Sequence, residues 1–219
     1  MYIKRGKIKI KPTFLINLKT YKQGNSVLKL AKIIQKIDKN IIIGVQPTDI
    51  HKLSHNTKLK IYSQHVDSFE PGRHTGYILP EAVKEAGAVG AFLNHSEHRL
   101  KFNELKKTIQ RCKKVKLKTA VFAPNLAEAK KIEKLKPDYL IIEPPELVAG
   151  RISVSKAKPN LIKTISKNLK SKFLVGAGIN SKQDVITAMK LGASGIGVSS
   201  AITKSKNPGK DLKELLDIH

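Results

Sequence analysis

The chain has 219 residues, and its 42 Lys and Arg against 17 Asp and Glu give a formal net charge of +25. Hydrophobic residues make up 40% and charged residues 27%, which supplies a core and excludes disorder as the main state. The single cysteine, Cys112, excludes an intrachain disulfide framework and a cysteine-built metal cluster, and no apolar run approaches the roughly 18 residues that span a bilayer.

Residues 1–12 read as a basic lead-in, with Lys4, Arg5, Lys7, Lys9 and Lys11 at a period close to that of a basic edge strand. Basic residues interrupt its apolar pairs, so neither a signal peptide nor a membrane anchor is legible and a cytoplasmic location is expected. Phe14–Leu18 is the first short apolar run, and Ser26–Ile37 then places Val27, Leu30, Ala31, Ile34 and Ile37 at helical steps. The runs Ile41–Val45, Lys60–His65 and Val89–Asn94 follow, and Asn103–Val115 repeats the helical spacing through Leu105, Ile109 and Cys112. Thr119–Phe122 leads into Asn125–Leu135, which starts with Asn125 as a candidate N-cap. Tyr139–Glu143, Phe173–Gly176 and Gly195–Val198 complete the strands, and Asn160–Leu169, Ser181–Leu191 and Pro208–Leu216 the helices.

Runs such as IIIGV and YLII are apolar throughout, as expected of strands buried on both faces of a parallel sheet. Strand and helix alternate about eight times, which leaves a doubly wound open sheet or a closed (β/α)8 barrel. The first loop, NLKTYKQGNS, lacks the glycine fingerprint of the open sheet. The expectation is therefore an α/β fold, a single-domain (β/α)8 TIM barrel over residues 13–219 with shortened helices and no second domain.

In such a barrel the chemistry sits at the C-terminal strand ends. Those ends carry Asn17 and Lys19; Gln64 and His65; Asn94, His95, Ser96 and Glu97; Glu143 and Glu146; Gly176 and Gly178; Ser199 and Ser200. Glycine-rich turns and helix starts offer backbone N–H groups to an anion, so Gly176, Gly178, Ser199 and Ser200 are candidate phosphate ligands. Asn94–Ser96 is expected to pass from strand to helix and to set His95 at a helix N-terminus. His51 and His55 are four apart, but no third ligand accompanies them and a metal site is not expected.

The charge invites nucleic acid as a partner, but the lysines are scattered and only the stretch 111–118, RCKKVKLK, is locally dense. There is no zinc-finger spacing, and aromatic residues are 5% of the chain. Nucleic acid is expected only through non-specific electrostatic binding, with lysine otherwise filling exposed helix positions.

The segments NLKTY, QHVDS followed by PGRHTG, NHSEHR, IIEPPEL, VSKAKP and GAGIN stand in the order and spacing of triosephosphate isomerase, above all its short archaeal form. The chain resembles that family from Phe14 onward. The resemblance implies reversible interconversion of dihydroxyacetone phosphate and D-glyceraldehyde 3-phosphate through an enediolate, in glycolysis and gluconeogenesis, without cofactor or metal. It gives Glu143 the role of base, His95 that of electrophile, Lys19 beside Asn17 that of fixed positive charge, and Glu97 that of a further site carboxylate. It also implies a mobile lid after strand six that brings Val148 and Ala149 to the phosphate. An interface loop from Asp67 to Gly76, with Thr75 and Gly76 at its tip, implies a homodimer or homotetramer.

Two departures stand out. The archaeal lid reads EPPEL, an aliphatic residue, then GTG, whereas this chain has Val148, Ala149, Gly150 and Arg151, so Ala149 keeps an N–H but lacks glycine's free φ. The turn after strand eight is Ser199, Ser200, Ala201 where the archaeal pattern is Ala-Ser-Gly, which implies weaker phosphate binding.

Overall fold

The computed structural model describes residues 3–4, 7–8, 12–148 and 152–218. Eight parallel strands close into a barrel: β1 (Thr13–Asn17), β2 (Ile42–Val45), β3 (Lys60–Ser63), β4 (Gly90–Leu93), β5 (Lys118–Ala123), β6 (Tyr139–Ile142), β7 (Phe173–Val175) and β8 (Gly195–Val198). They pair in chain order and β8 returns to β1, with Ile196 opposite Phe14 and Val198 opposite Ile16. Around them run α1 (Gly24–Ile37), α2 (Ile50–Asn56), α3 (Pro80–Glu85), α4 (Phe102–Lys114), α5 (Leu126–Glu133), α6 (Val154–Ala157), α7 (Pro159–Asn168), α8 (Lys182–Lys190), α9 (Ser200–Thr203) and α10 (Pro208–Leu216).

The uninterrupted apolar runs now have their explanation. Alternate residues point to opposite faces of a strand. Leu15, Ile42, Tyr62, Phe92, Phe122, Ile141 and Leu174 fill the barrel interior, while Phe14, Ile16, Ile43, Ile61, Val121 and Val175 meet the helices outside. Both faces are dry, so neither carries a polar alternation.

The expected helices are present with shifted ends. Asn125 caps α5 by accepting the Glu128 N–H, and Ser181 and Asp184 form a reciprocal capping box on α8. The chain adds α2, α3, α6 and α9, each of at most seven residues, too short to register as a periodic pattern. At the N-terminus, Ile3–Lys4 pairs antiparallel with Lys7–Ile8 in a sheet separate from the barrel. The other basic residues of the lead-in, Arg5, Lys9 and Lys11, lie outside the described residues.

Candidate active site

The polar strand ends converge on one mouth of the barrel, around a cleft lined by Asn17, Lys19, His95, Glu143, Gly178 and Ser199 among others. Asn17 is the last residue of β1, and its Oδ1 accepts the Lys19 N–H at 3.0 Å. That bond accompanies a left-handed turn at Lys19, with φ of 47°. Gln64 supports the same turn by donating from Nε2 to the Lys19 carbonyl at 2.8 Å and to that of Gly44 at 3.2 Å. The ammonium of Lys19 thus has a braced backbone, and it donates to Glu97 Oε1 at 2.5 Å.

After β4 the chain turns left-handed again, at Asn94, with φ of 62°. The buried Asn94 side chain donates to the Phe122 carbonyl at 2.9 Å and accepts the Leu100 N–H at 3.0 Å, closing the loop that presents His95. The expected helix start is absent here. His95 to His98 form a single turn, closed by the His98 N–H on the His95 carbonyl, and α4 does not begin until Phe102. The turn nevertheless supplies one directed donor. The Glu97 N–H donates to His95 Nδ1 at 3.1 Å, so in a neutral ring the proton is on Nε2. His95 Nε2 lies 3.0 Å from Glu143 Oε2, and the Phe122 ring packs edge-on against the imidazole.

Glu143 follows β6 directly. Its N–H extends the barrel ladder to the Ala123 carbonyl at 2.9 Å, and Pro144 and Pro145 then divert the backbone into a short 3-10 turn, Pro145–Leu147. The carboxylate also accepts from Ser96 Oγ at 3.2 Å, a partner that the sequence reading placed at the strand end without a role. Gly176 makes room for it, because a Cβ there would stand 3.0 Å from Glu143 Oε1. This corrects the expectation that Gly176 offers its amide to phosphate, since that N–H donates to the Ile142 carbonyl at 2.8 Å.

Across the cleft, Gly178 has φ of +67°, and a Cβ would meet the Ile152 carbonyl oxygen at 2.3 Å, so only glycine fits between the strand-seven turn and the chain at Ile152 and Ser153. Ser199 and Ser200 line the same side, and Ser199 Oγ is buried without a partner among the described residues. Val148 lines the cleft as well. Ala149, Gly150 and Arg151 lie outside the described residues. The chain resumes in a buried polar cluster that sequence reading missed. There Asp184 accepts from Ser153 Oγ at 2.8 Å and from the backbone of Asn180 and Ser181, with Lys156 Nζ 3.0 Å away. Burial acts to raise the Asp184 pKa, but the hydrogen bonds from Ser153, Asn180, Lys156 and Ser181 outweigh it and hold the carboxyl below the usual range. Only the capping position of Ser181 and Asp184 hinted at this cluster.

A second cleft adjoins the first, lined by Lys19, Gln64, His65, His95 and His98. Burial lowers the His65 pKa despite the neighbouring Asp67. Asp67 closes the loop that ends at Ile78, accepting the Ile78 N–H while donating its own N–H to the Ile78 carbonyl. Within that loop Phe69 stacks on His74, and Thr75 and Gly76 are exposed at the tip. His51 and His55 have ring centroids 4.1 Å apart, but no group of three His, Cys, Asp or Glu suited to a metal occurs among the described residues. No helix among them is long and apolar enough to cross a membrane.

Comparison with known proteins adds three findings. The model of the family described as triosephosphate isomerase matches residues 12–218. The triosephosphate isomerase of Methanocaldococcus jannaschii is 40% identical over 215 residues, covering 92% of this chain and 97% of that protein, and that of Saccharolobus solfataricus is 41% identical, covering 94% and 95%. A solved structure of triosephosphate isomerase from Bartonella henselae superposes with a TM-score of 0.72 at 17% identity over 95% of this chain, a likeness of fold.

Proposed function

The chain belongs to the triosephosphate isomerase family and interconverts dihydroxyacetone phosphate and D-glyceraldehyde 3-phosphate, and from that premise we propose how the residues at the strand ends divide the work. Glu143 removes a proton from the carbon beside the carbonyl and returns it to the neighbouring carbon, so one carboxylate serves both half-reactions. The negative charge that develops on the two substrate oxygens falls to His95. Its Nε2–H, which faces Glu143 Oε2 at 3.0 Å, donates to those oxygens once substrate lies between the two groups. Pairing a glutamate base with a neutral histidine is already known for this family. The Glu97 N–H on Nδ1 supports that tautomer.

Lys19 supplies fixed positive charge toward the phosphate and the enediolate. Asn17 and Gln64 position it through the backbone, and the Glu97 carboxylate holds its ammonium at the cleft. The amides of Gly178, Ser199 and Ser200, with Val148 and Ala149 of the lid, form the phosphate cradle. Gly176 is left out of it as an amide donor and serves by its missing side chain. The single observation that carries this reading is the placement of Lys19, His95, Glu97 and Glu143 in one chain of contacts, each 3.1 Å or less, at the mouth of the barrel.

Self-association follows from the same site. The loop closed by Asp67 and Ile78 leaves Thr75 and Gly76 exposed, and we read the cleft beside Lys19 and His98 as the place that takes such a tip from a second copy. The protein acts as at least a homodimer in the cytoplasm.

The test is isomerisation by the purified protein in both directions, beside Glu143→Gln. Loss of the base lowers kcat by about 10²–10⁴-fold while the far-ultraviolet spectrum stays that of the wild type. A fully active Glu143→Gln protein would overturn the assignment.

A further inference from the structure

The lysines that look scattered along the sequence are gathered by the fold. Each αβ connection returns the chain to the N-terminal end of the barrel, opposite the catalytic mouth. Three consecutive connections, those leading into β5, β6 and β7, carry Lys116 and Lys118, Lys134 and Lys136, and Lys170 and Lys172. All six are exposed, and none takes part in an ion pair among the described residues. Neighbouring strands are about 5 Å apart, so the six ammonium groups sit on one contiguous rim.

The two acids of this rim, Glu133 and Asp138, offset only part of its charge: Glu133 interacts electrostatically with Lys170, and six lysines against two carboxylates leave the rim net positive. Asp138 accepts the Thr119 N–H and hydroxyl, and Glu133 accepts the backbone N–H groups of Lys170 and Ser171. Both carboxylates are turned onto backbone donors.

Helix-dipole compensation places cations in last helical turns, but it does not account for this set, because Lys118 opens a strand and Lys172 immediately precedes one. Backbone conformation points the same way. The left-handed residue that closes α3 is Gly87 and that which closes α8 is Gly192, each pressed against a serine side chain. The corresponding residues after α4 and α5 are Lys116, with φ of 62°, and Lys136, with φ of 52°. Glycine is the unstrained choice at such positions. Here lysine occupies two open ones, and both face the rim.

We infer that this end of the barrel is a sequence-blind docking surface for the phosphate backbone of nucleic acid. A polyanion fits a row of unneutralised ammonium groups, and it requires no base-reading side chains. A lipid surface fits less well. Membrane docking draws on exposed apolar residues beside the charge, and of the exposed large apolar side chains among the described residues only Val89 belongs to this face.

The test uses the whole protein and a fluorescent 20-nucleotide single strand, titrated by anisotropy across salt concentrations. Wild type binds at 150 mM salt with micromolar affinity, and the affinity falls steeply as salt rises. The triple variant K116Q/K136Q/K172Q weakens binding about tenfold at that salt and lowers the slope of log affinity against log salt by roughly 2, given about 0.7 per lost phosphate contact. The control K29Q/K32Q/K213Q removes the same charge from exposed sites on α1 and α10 and leaves slope and affinity near wild type. Isomerase activity is the same in all three proteins. Equal weakening by both triples would show diffuse charge and overturn the proposal, as would no binding at 150 mM salt. Vesicles containing phosphatidylserine that displace the strand and depend on the same three lysines would reassign the surface to lipid and overturn it too.

Discussion

The two ends of the barrel use charge in opposite ways. At the catalytic end, acid and base face one another: Lys19 on Glu97, His95 on Glu143, and Lys156 on Asp184. At the other end Glu133 and Asp138 accept mainly from backbone donors, with Lys170 the one rim lysine that Glu133 attracts, and exposed lysines outnumber the two acids. A formal charge of +25 therefore describes neither end. What matters is which ammonium groups are already answered. An answered, partly buried pair holds a geometry, whereas an unanswered exposed cation offers long-range, salt-sensitive attraction.

If the catalytic end depends on held geometry, small steric changes there should cost far more activity than stability. Gly176→Ala is the sharpest case. A Cβ would stand 3.0 Å from Glu143 Oε1 and 3.5 Å from its Cγ, so the carboxylate must shift. A contact of that length displaces the carboxylate by a few tenths of an ångström, well short of the roughly 1 Å misplacement that costs a reaction about 10²-fold. We expect kcat to fall severalfold, up to about tenfold, with KM and melting temperature little changed. Wild-type kcat in Gly176→Ala would show that the glycine is not needed beside the base and would break the contrast between the two ends.

Asp184→Asn addresses the same end through stability. Asparagine keeps one acceptor oxygen and presents an NH2 to a site built of donors, namely Ser153, Lys156 and two backbone N–H groups. Leaving such a buried network half satisfied costs about 1–3 kcal/mol, and each kcal/mol lowers Tm by roughly 2–4 °C in a chain of this size. The pH dependence has a definite sign. The folded pKa of Asp184 is held below its unfolded value, so its contribution is complete above about pH 4 and is lost as pH falls through the folded pKa. The gap in stability between wild type and Asp184→Asn should therefore be constant at neutral pH and shrink on acidification below about pH 4. A gap that does not change with pH would mean that packing, not the charge, is what the carboxylate supplies.

Much of this arrangement was legible beforehand, for a physical reason. Strands buried on two faces have no choice but to be apolar, so the runs at Ile41–Val45 and Tyr139–Glu143 declared themselves, and Asn17, His95 and Glu143 stood out as polar residues at strand ends. The errors arose where backbone direction decides. That the Gly176 amide belongs to the barrel ladder, or that His95 sits in one turn instead of at a helix start, depends on which way an N–H points. Residue identity does not encode that locally. The role of Ser96 and the bond from Ser153 to Asp184 were missed because those contacts join residues 47 and 31 apart in sequence. The basic rim was hidden for the same reason. Its members recur once per βα unit, a spacing that looks like scatter until the strands are laid side by side.

The smallest expected effect tests the other end of the comparison. If Lys116 and Lys136 are kept for their charge, they are kept against the preference of their own backbone. A left-handed L-residue is strained by about 1–2 kcal/mol, and glycine recovers most of that while losing roughly 0.5–1 kcal/mol to the greater freedom of its unfolded chain. Each substitution to glycine should then stabilise the fold by about 0.5 kcal/mol, and the double variant Lys116→Gly with Lys136→Gly by about 1 kcal/mol, measurable as a rise in the urea midpoint at unchanged m-value. The same double variant should bind the single strand more weakly while isomerising at the wild-type rate. Greater stability coupled to poorer binding is what a functional surface predicts and what an indifferent surface does not, since lysines serving only as helix-end cations would stabilise the fold and their removal would lower the urea midpoint.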